Sequence, residues 1–273
     1  MAYDADDDEG GIAEPMPIGL RQRTGFIVRA GVRAVADLIV PPVCLACHAP
    51  LSDHHALCAT CWGRIDFIRA PVCDRLGIPL PYDTGGVMVS AGAAAHPPDY
   101  DRARGVAAFH GTMQKLIHRF KYSDRHDARR MFGRWLVAAG ESLIAESDVV
   151  IPVPLNRWRL LDRRFNQSAI LAMEVSRRTG IEEALVSLVR TKKTVSQVGL
   201  TIEERRLNMA GAFVVPDLRR ADIAGRRVLL IDDVITTGAT INAAARALKA
   251  GGAVRVDVLA LAIAGHGAAH GDA

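Results

Sequence analysis

Apolar residues along the chain switch between two spacings. Val228-Leu229-Leu230-Ile231 is an unbroken apolar run, the pattern of a strand buried on both faces. A helical pattern from Thr240 to Lys249 follows it. Val149 to Val153 is a second such run, and Val106 to Phe109, Leu185 to Val189, Phe213 to Val215 and Val254 to Leu261 are shorter or later candidates. Between them, Leu116, Ile117 and Phe120 fall on one helical face. So do Met131/Phe132, Trp135/Leu136, Ala139 and Leu143 over 128–145, and a helix over 168–179 is stopped by Gly180. Strand and helix alternating over 104–265 predict an α/β domain with a mostly parallel sheet covered by helices on both faces.

Upstream, the pattern divides the chain further. Residues 1–18 are acidic and punctuated by Gly and Pro, and they are expected to be disordered. Residues 19–80 comprise an amphipathic helix and a cysteine module. The helix carries Ile27, Val32, Val35, Leu38 and Ile39 with arginines between, and Pro41-Pro42 ends it. Its apolar face is expected to pack on the neighbouring domain rather than on a membrane. Residues 81–103, rich in Gly, Ala and Pro, read as a linker. No internal repeat is expected.

Composition narrows the classes. The 273 residues are 49% hydrophobic and 23% charged, ordinary for a globular protein. No apolar run approaches the roughly 20 residues of a membrane span. The start, MAYDADDDEGG, has neither signal nor transit character, so a cytoplasmic location is expected. A net charge of +4 is too mild to point to nucleic acid by itself. Aromatics at 5% supply a poor stacking platform for single-stranded DNA, although Trp158 lies among arginines.

Three stretches carry chemistry. Cys44-x₂-Cys47 and Cys58-x₂-Cys61 can each chelate from a tight turn, and together they offer four thiolates to a structural Zn²⁺. Cys73 lacks a partner, because Leu76 stands three residues on, so one zinc site is expected. At the end of the central strand, Asp232 and Asp233 are followed by Val234, Ile235, Thr236, Thr237, Gly238, Ala239 and Thr240. Open α/β sheets place ligands at such strand ends. A small hydroxylated loop opening a helix can offer N–H groups to one phosphate, and the acids suit ribose hydroxyls or Mg²⁺. After the second strand, Pro152 and Pro154 are followed by Asn156, Arg157, Arg159, Arg163, Arg164, Asn166 and Gln167, a set whose guanidinium forks match a diphosphate. Lys121 and the region of Arg190 to Arg206, including Arg205 after a capping box at Thr201-x-x-Glu204, are candidates to close over that site. Neither G-x-x-x-x-G-K-[ST] nor a strand-linked G-x-G-x-x-G is present, which removes the common nucleotide-triphosphate and dinucleotide readings.

The Asp232-Asp233…Thr240 stretch resembles the 5-phosphoribosyl-1-pyrophosphate (PRPP) motif of type I phosphoribosyltransferases. Combined with the cysteine module, Ile151-Pro-Val-Pro-Leu155, Arg163-Arg-Phe-Asn-Gln167 and Gly211-Ala-Phe213, the order along 38–262 resembles the competence protein F (ComF) family. The resemblance implies a type I phosphoribosyltransferase fold behind a zinc module. It also implies PRPP with Mg²⁺ as ligand and a setting in DNA uptake, with a competence helicase and single-stranded-DNA-processing proteins as partners. The acids would engage the ribose 2′- and 3′-hydroxyls, and 236–240 the 5′-phosphate. Relatives acting on 6-oxopurines carry an acid where this chain has Thr236, which argues against hypoxanthine or guanine as acceptor. Arg164 and Leu76 depart from the common pattern, which has Gly and Cys there. Two readings follow: a phosphoribosyl transferase, and a non-catalytic adaptor or DNA-binding protein that keeps the pocket.

Overall fold

The computed structural model describes residues 41–122, 128–155, 165–191 and 211–265. The described residues from Val43 onward belong to one compact unit. The expected amphipathic helix ahead of Pro41 and the acidic start lie outside them.

Five parallel strands form the sheet, in the order β1 (Arg102–Ala108), β7 (Arg255–Ile263), β6 (Arg227–Ile235), β2 (Val149–Pro152), β3 (Glu182–Glu183). The strand β6 runs through both acids to Ile235, beyond the apolar run that marked it, because its ladder with β7 continues to Ile235 opposite Ile263. Alternate side chains serve opposite faces. Val228, Leu230, Val256 and Val258 enter one core, and Leu229, Ile231, Leu259 and Leu261 the other. Burial on both faces is why these strands read as continuous apolar runs rather than alternating ones.

Helices α3 (Gly111–Tyr122), α4 (Arg129–Ala139) and α6 (Gln167–Thr179) cover the second face. The single helix expected over 128–145 is two, α4 and α5 (Glu141–Ile144), meeting at Gly140. Helix α7 (Ala239–Ala250) covers the first face with the short ribbon β4 (Val189–Arg190) and β5 (Phe213–Val214). The strand expected over 185–189 is thus reduced to the start of β4.

The cysteine module wraps the open edge of the sheet. Residues 66–68 lie antiparallel along β1, with Ile68 N–H donating to the Val106 carbonyl at 2.9 Å and Ala108 N–H to the Asp66 carbonyl at 2.9 Å. This covers an edge that would otherwise offer unpaired backbone groups. Cys44, Cys61 and Ile65 join the α3–α4–α6 core, while Cys73, Ile78 and Ala93 join the α7 core. The segment 81–103, expected as a linker, holds helix α2 (Ala91–Ala95) and the start of β1. No helix among the described residues is long and apolar enough to cross a membrane.

Candidate phosphoribosyl site and metal centre

The acid pair sits where β6 leaves the sheet. The Asp232 carboxylate accepts from Ser168 Oγ at 3.0 Å and from the Asp233 N–H at 2.9 Å. The Asp233 carboxylate meets Lys121 Nζ, at the end of α3, at 3.0 Å. Burial, then the charge of Asp233, push the Asp232 carboxyl up to about 7, although the Asp233 N–H, Ser168 and Lys121 favour its charged form. A carboxyl raised in the folded state makes folding less favourable as pH climbs from its unfolded value near 4 towards 7, because the folded chain holds a proton that the unfolded chain has released. Each unit of retained shift is worth about 1.4 kcal/mol. In magnesium-free buffer, Asp232→Asn is therefore expected to raise the thermal midpoint at pH 8 by several degrees, and to change it little only below the unfolded carboxyl value, at about pH 3.5. Equal midpoints of variant and wild type at pH 8 would show that the acid sits there without strain.

Beyond Ile235 the loop turns at Gly238, whose φ is +75°, and Gly238 is also the N-cap of α7. That conformation is unfavourable for a residue with a side chain. A Cβ there would lie 3.3 Å from Asn242 Nδ2, and Asn242 Oδ1 already accepts the Asp99 N–H at 2.7 Å. The cap contributes no side-chain hydrogen bond to the first turn of this twelve-residue helix. A helix N-terminus of this kind can offer backbone amides to an anion. Thr236, Thr237, Gly238 and Ala239 border a cleft of about 620 Å³, whose other wall includes Leu76, Ile78, Pro97 and Ile263.

The other sequence-selected residues divide in two. Asn166 caps α6, its Oδ1 accepting from the Ser168 N–H at 3.1 Å, and its Nδ2 donates to the Val153 carbonyl at 3.1 Å. Gln167 is buried and donates to the Lys121 carbonyl at 3.1 Å. These bonds tie the turn after β2, the start of α6 and the end of α3 around the acids. Pro154 follows in that turn, half-buried. Arg157, Arg163 and Arg205 lie outside the described residues. Ser168, which sequence reasoning passed over as the start of a helix, proves to touch Asp232 across 64 positions of chain. Nothing local marks such a contact.

Cys44, Cys47, Cys58 and Cys61 present sulfurs that all lie within 4.8 Å of one another, with Cys47 and Cys58 Sγ 3.7 Å apart. A tetrahedron with bonds of about 2.3 Å has edges of about 3.8 Å, so the donor set fits zinc. Burial opposes ionisation of Cys44, but the N–H groups of Cys58, Cys47 and Ala46 outweigh it and hold the thiol at about 6. Burial and the neighbouring sulfurs of Cys47, Cys58 and Cys44 push Cys61 to about 12. Four such sulfurs need a cation among them to ionise together, and all four thiolates being its ligands makes the site closed and structural.

The comparisons agree with this division. A double zinc ribbon domain matches residues 35–92, and a phosphoribosyl transferase domain matches residues 166–273. The DNA utilization protein YhgH of Escherichia coli O157:H7 is 30% identical over 230 residues, 82% of this chain and 98% of its own length. Competence protein F of Haemophilus influenzae is 29% identical over 225 residues, 80% of this chain and 96% of its own length. Among solved structures, orotate phosphoribosyltransferase from Aeropyrum pernix matches 59% of this chain and 80% of its own at 16% identity and a TM-score of 0.33. With a zinc ribbon module ahead of a type I phosphoribosyltransferase fold, the chain belongs to the competence protein F family.

Proposed function

We propose that the chain binds PRPP with Mg²⁺ at the end of β6 and transfers its phosphoribosyl group with release of pyrophosphate, in the service of DNA uptake. The observation that carries this reading is the juxtaposition of an acid pair with a glycine-capped helix N-terminus, seven residues of chain apart at most. One element suits ribose hydroxyls and the other suits a phosphate. The carboxylates of Asp232 and Asp233 would accept from the 2′- and 3′-hydroxyls or hold the metal, and the loop of Thr236 to Thr240 would hold the 5′-phosphate. Bound magnesium supplies positive charge to the diphosphate. Transfer breaks the bond between the anomeric carbon and pyrophosphate, forms one from that carbon to a nucleophilic acceptor, and releases a proton from the acceptor. Ser168 and the Asp233 N–H hold the Asp232 carboxylate in place for this. Lys121, already beside Asp233, stands where its charge can serve the departing diphosphate, with Arg157 and Arg163 proposed for the same group.

The adaptor reading draws support from the cysteine module packed along the sheet, which gives the protein a second surface for partners, and from relatives described as a DNA utilization protein and competence proteins. Calorimetric titration with PRPP, with and without Mg²⁺, followed by an assay for pyrophosphate release against a set of bases and amines, separates the two. Binding strengthened by Mg²⁺ together with release supports the transferase. Binding without release under any acceptor supports the adaptor. No affinity for PRPP in either buffer would overturn the phosphoribosyl pocket itself.

A further inference from the structure

The ribbon around Cys44 is repeated around Cys73. Cys44 N–H donates to the Ala49 carbonyl at 2.8 Å and accepts at its own carbonyl from His48; Cys73 N–H donates to Ile78 at 2.8 Å and its carbonyl accepts from Gly77. Antiparallel bridges pair Val43 with Pro50 and Val72 with Pro79. The fifth residue of each knuckle has positive φ, His48 at 61° and Gly77 at 69°. Leu45 N–H reaches Ala56, and Asp74 N–H reaches Met88. Cys58 caps the short helix α1 (Ala59–Trp62) through its sulfur, accepting from the Cys61 N–H at 3.4 Å; Ser90 caps α2 through its hydroxyl, accepting from the Ala93 N–H at 3.3 Å. The Cys58 N–H points to Cys44 Sγ at 3.3 Å, and the Ser90 N–H to Cys73 Sγ at 3.2 Å. The expectation that the chain holds no repeat is corrected here.

This superposition places Cys73, Leu76, Ser90 and Ala93 at the positions that Cys44, Cys47, Cys58 and Cys61 occupy in the first ribbon. Three of the four side chains cannot ligate zinc through sulfur, and Leu76 and Ala93 cannot ligate it at all. We infer that the second ribbon is a copy that has lost its metal and holds its shape by docking onto the sheet. The docking is specific. Arg75 donates to the carbonyls of Pro98 and Tyr100, both at 2.8 Å, and Arg104 of β1 forks onto the Asp74 carbonyl at 3.0 Å and carboxylate at 2.6 Å. A Cβ at Gly77 would stand 2.7 Å from the Ala103 carbonyl oxygen, so the knuckle presses directly on β1. Cys73, Ile78 and Ala93 are buried in the α7 core. The second zinc implied by a double-ribbon match therefore does not fit this chain.

Metal analysis of the full-length protein, freed of loosely bound ions, is expected to give one zinc per chain; two would overturn the inference. Hydrogen exchange before and after chelation adds a test independent of stoichiometry. Amides of 44–62 are expected to lose protection, while those of Cys73, Asp74 and Gly77 stay slow. Equal loss in both ribbons would mean that metal holds both. A Leu76→Cys, Ser90→Cys, Ala93→Cys triple variant is expected to take up a second zinc. Natively folded triple variant with a single zinc would break the positional correspondence.

Discussion

Cys58→Ser is expected to release zinc and to lower the thermal midpoint by roughly 10 °C or more, with the variant running as soluble aggregates on gel filtration. Apparent zinc-binding free energies in small modules are about 10–16 kcal/mol and act as folding energy. The first ribbon is too small to replace that with a core of its own. Its loss does not stop at the metal. Residues 66–68, which follow the ribbon directly, hydrogen-bond along β1, and Trp62 and Phe67 meet Trp135 of α4 edge-on with ring centroids 5.5 and 5.4 Å apart. Without the ribbon, an unpaired strand edge and an aromatic face meet solvent together, and both favour association. Cys73→Ser is expected to keep the zinc and the elution volume of the wild type. A Cys58→Ser protein with zinc and midpoint unchanged would remove Cys58 from the ligand set.

Gly238→Val is expected to reduce binding of PRPP, ribose 5-phosphate and inorganic phosphate at least thirtyfold while far-ultraviolet circular dichroism stays native. The residue occupies φ +75°, which a β-branched side chain strongly resists, and its Cβ would press on Asn242, which holds the Asp99 N–H. Relief of that strain moves the loop whose backbone is proposed to hold phosphate. Strain of this kind is worth about 1–3 kcal/mol, small against a sheet buried on both faces, so the fold survives. Asp233→Asn offers the contrast. It should weaken PRPP and ribose 5-phosphate by about 1.5–3 kcal/mol, roughly ten- to hundredfold, if a charge-assisted hydrogen bond disappears. Inorganic phosphate should be nearly unaffected, because the acid is assigned to sugar and metal. Parallel losses for all three ligands would make the site a generic anion hole.

Which parts of this picture the sequence could disclose follows from where each signal is stored. The unbroken apolar run ahead of Asp232 needed no partner to be read, since burial on both faces is written into consecutive residues. The four zinc ligands were equally visible, because a zinc ribbon is recognised by its cysteines. For the same reason the second ribbon was invisible. With Leu76, Ser90 and Ala93 in three ligand positions, only Gly, Ala and Pro remained on view, and that composition reads as a linker. The break at Gly140 leaves little trace in the sequence because an isolated glycine inside a helical pattern is tolerated, at a cost of about 1 kcal/mol. The hold of Ser168 on Asp232 is tertiary and leaves no local trace.

The sheet order has a consequence for the making of the protein. Strand β7 is the last strand among the described residues, yet it lies between β1 and β6, pairing Arg102 with Asp257 and Arg227 with Arg255. A ribosome therefore delivers β1 some 150 residues before its neighbour exists, and the closing of that contact carries the loop entropy of nearly the whole domain. Until then the emerging chain has a β6 bordered on one side only and a β1 with no parallel partner. Nascent chains stalled before residue 255 should remain open to protease throughout the sheet, and release of the nine-residue β7 should convert the whole domain in one step.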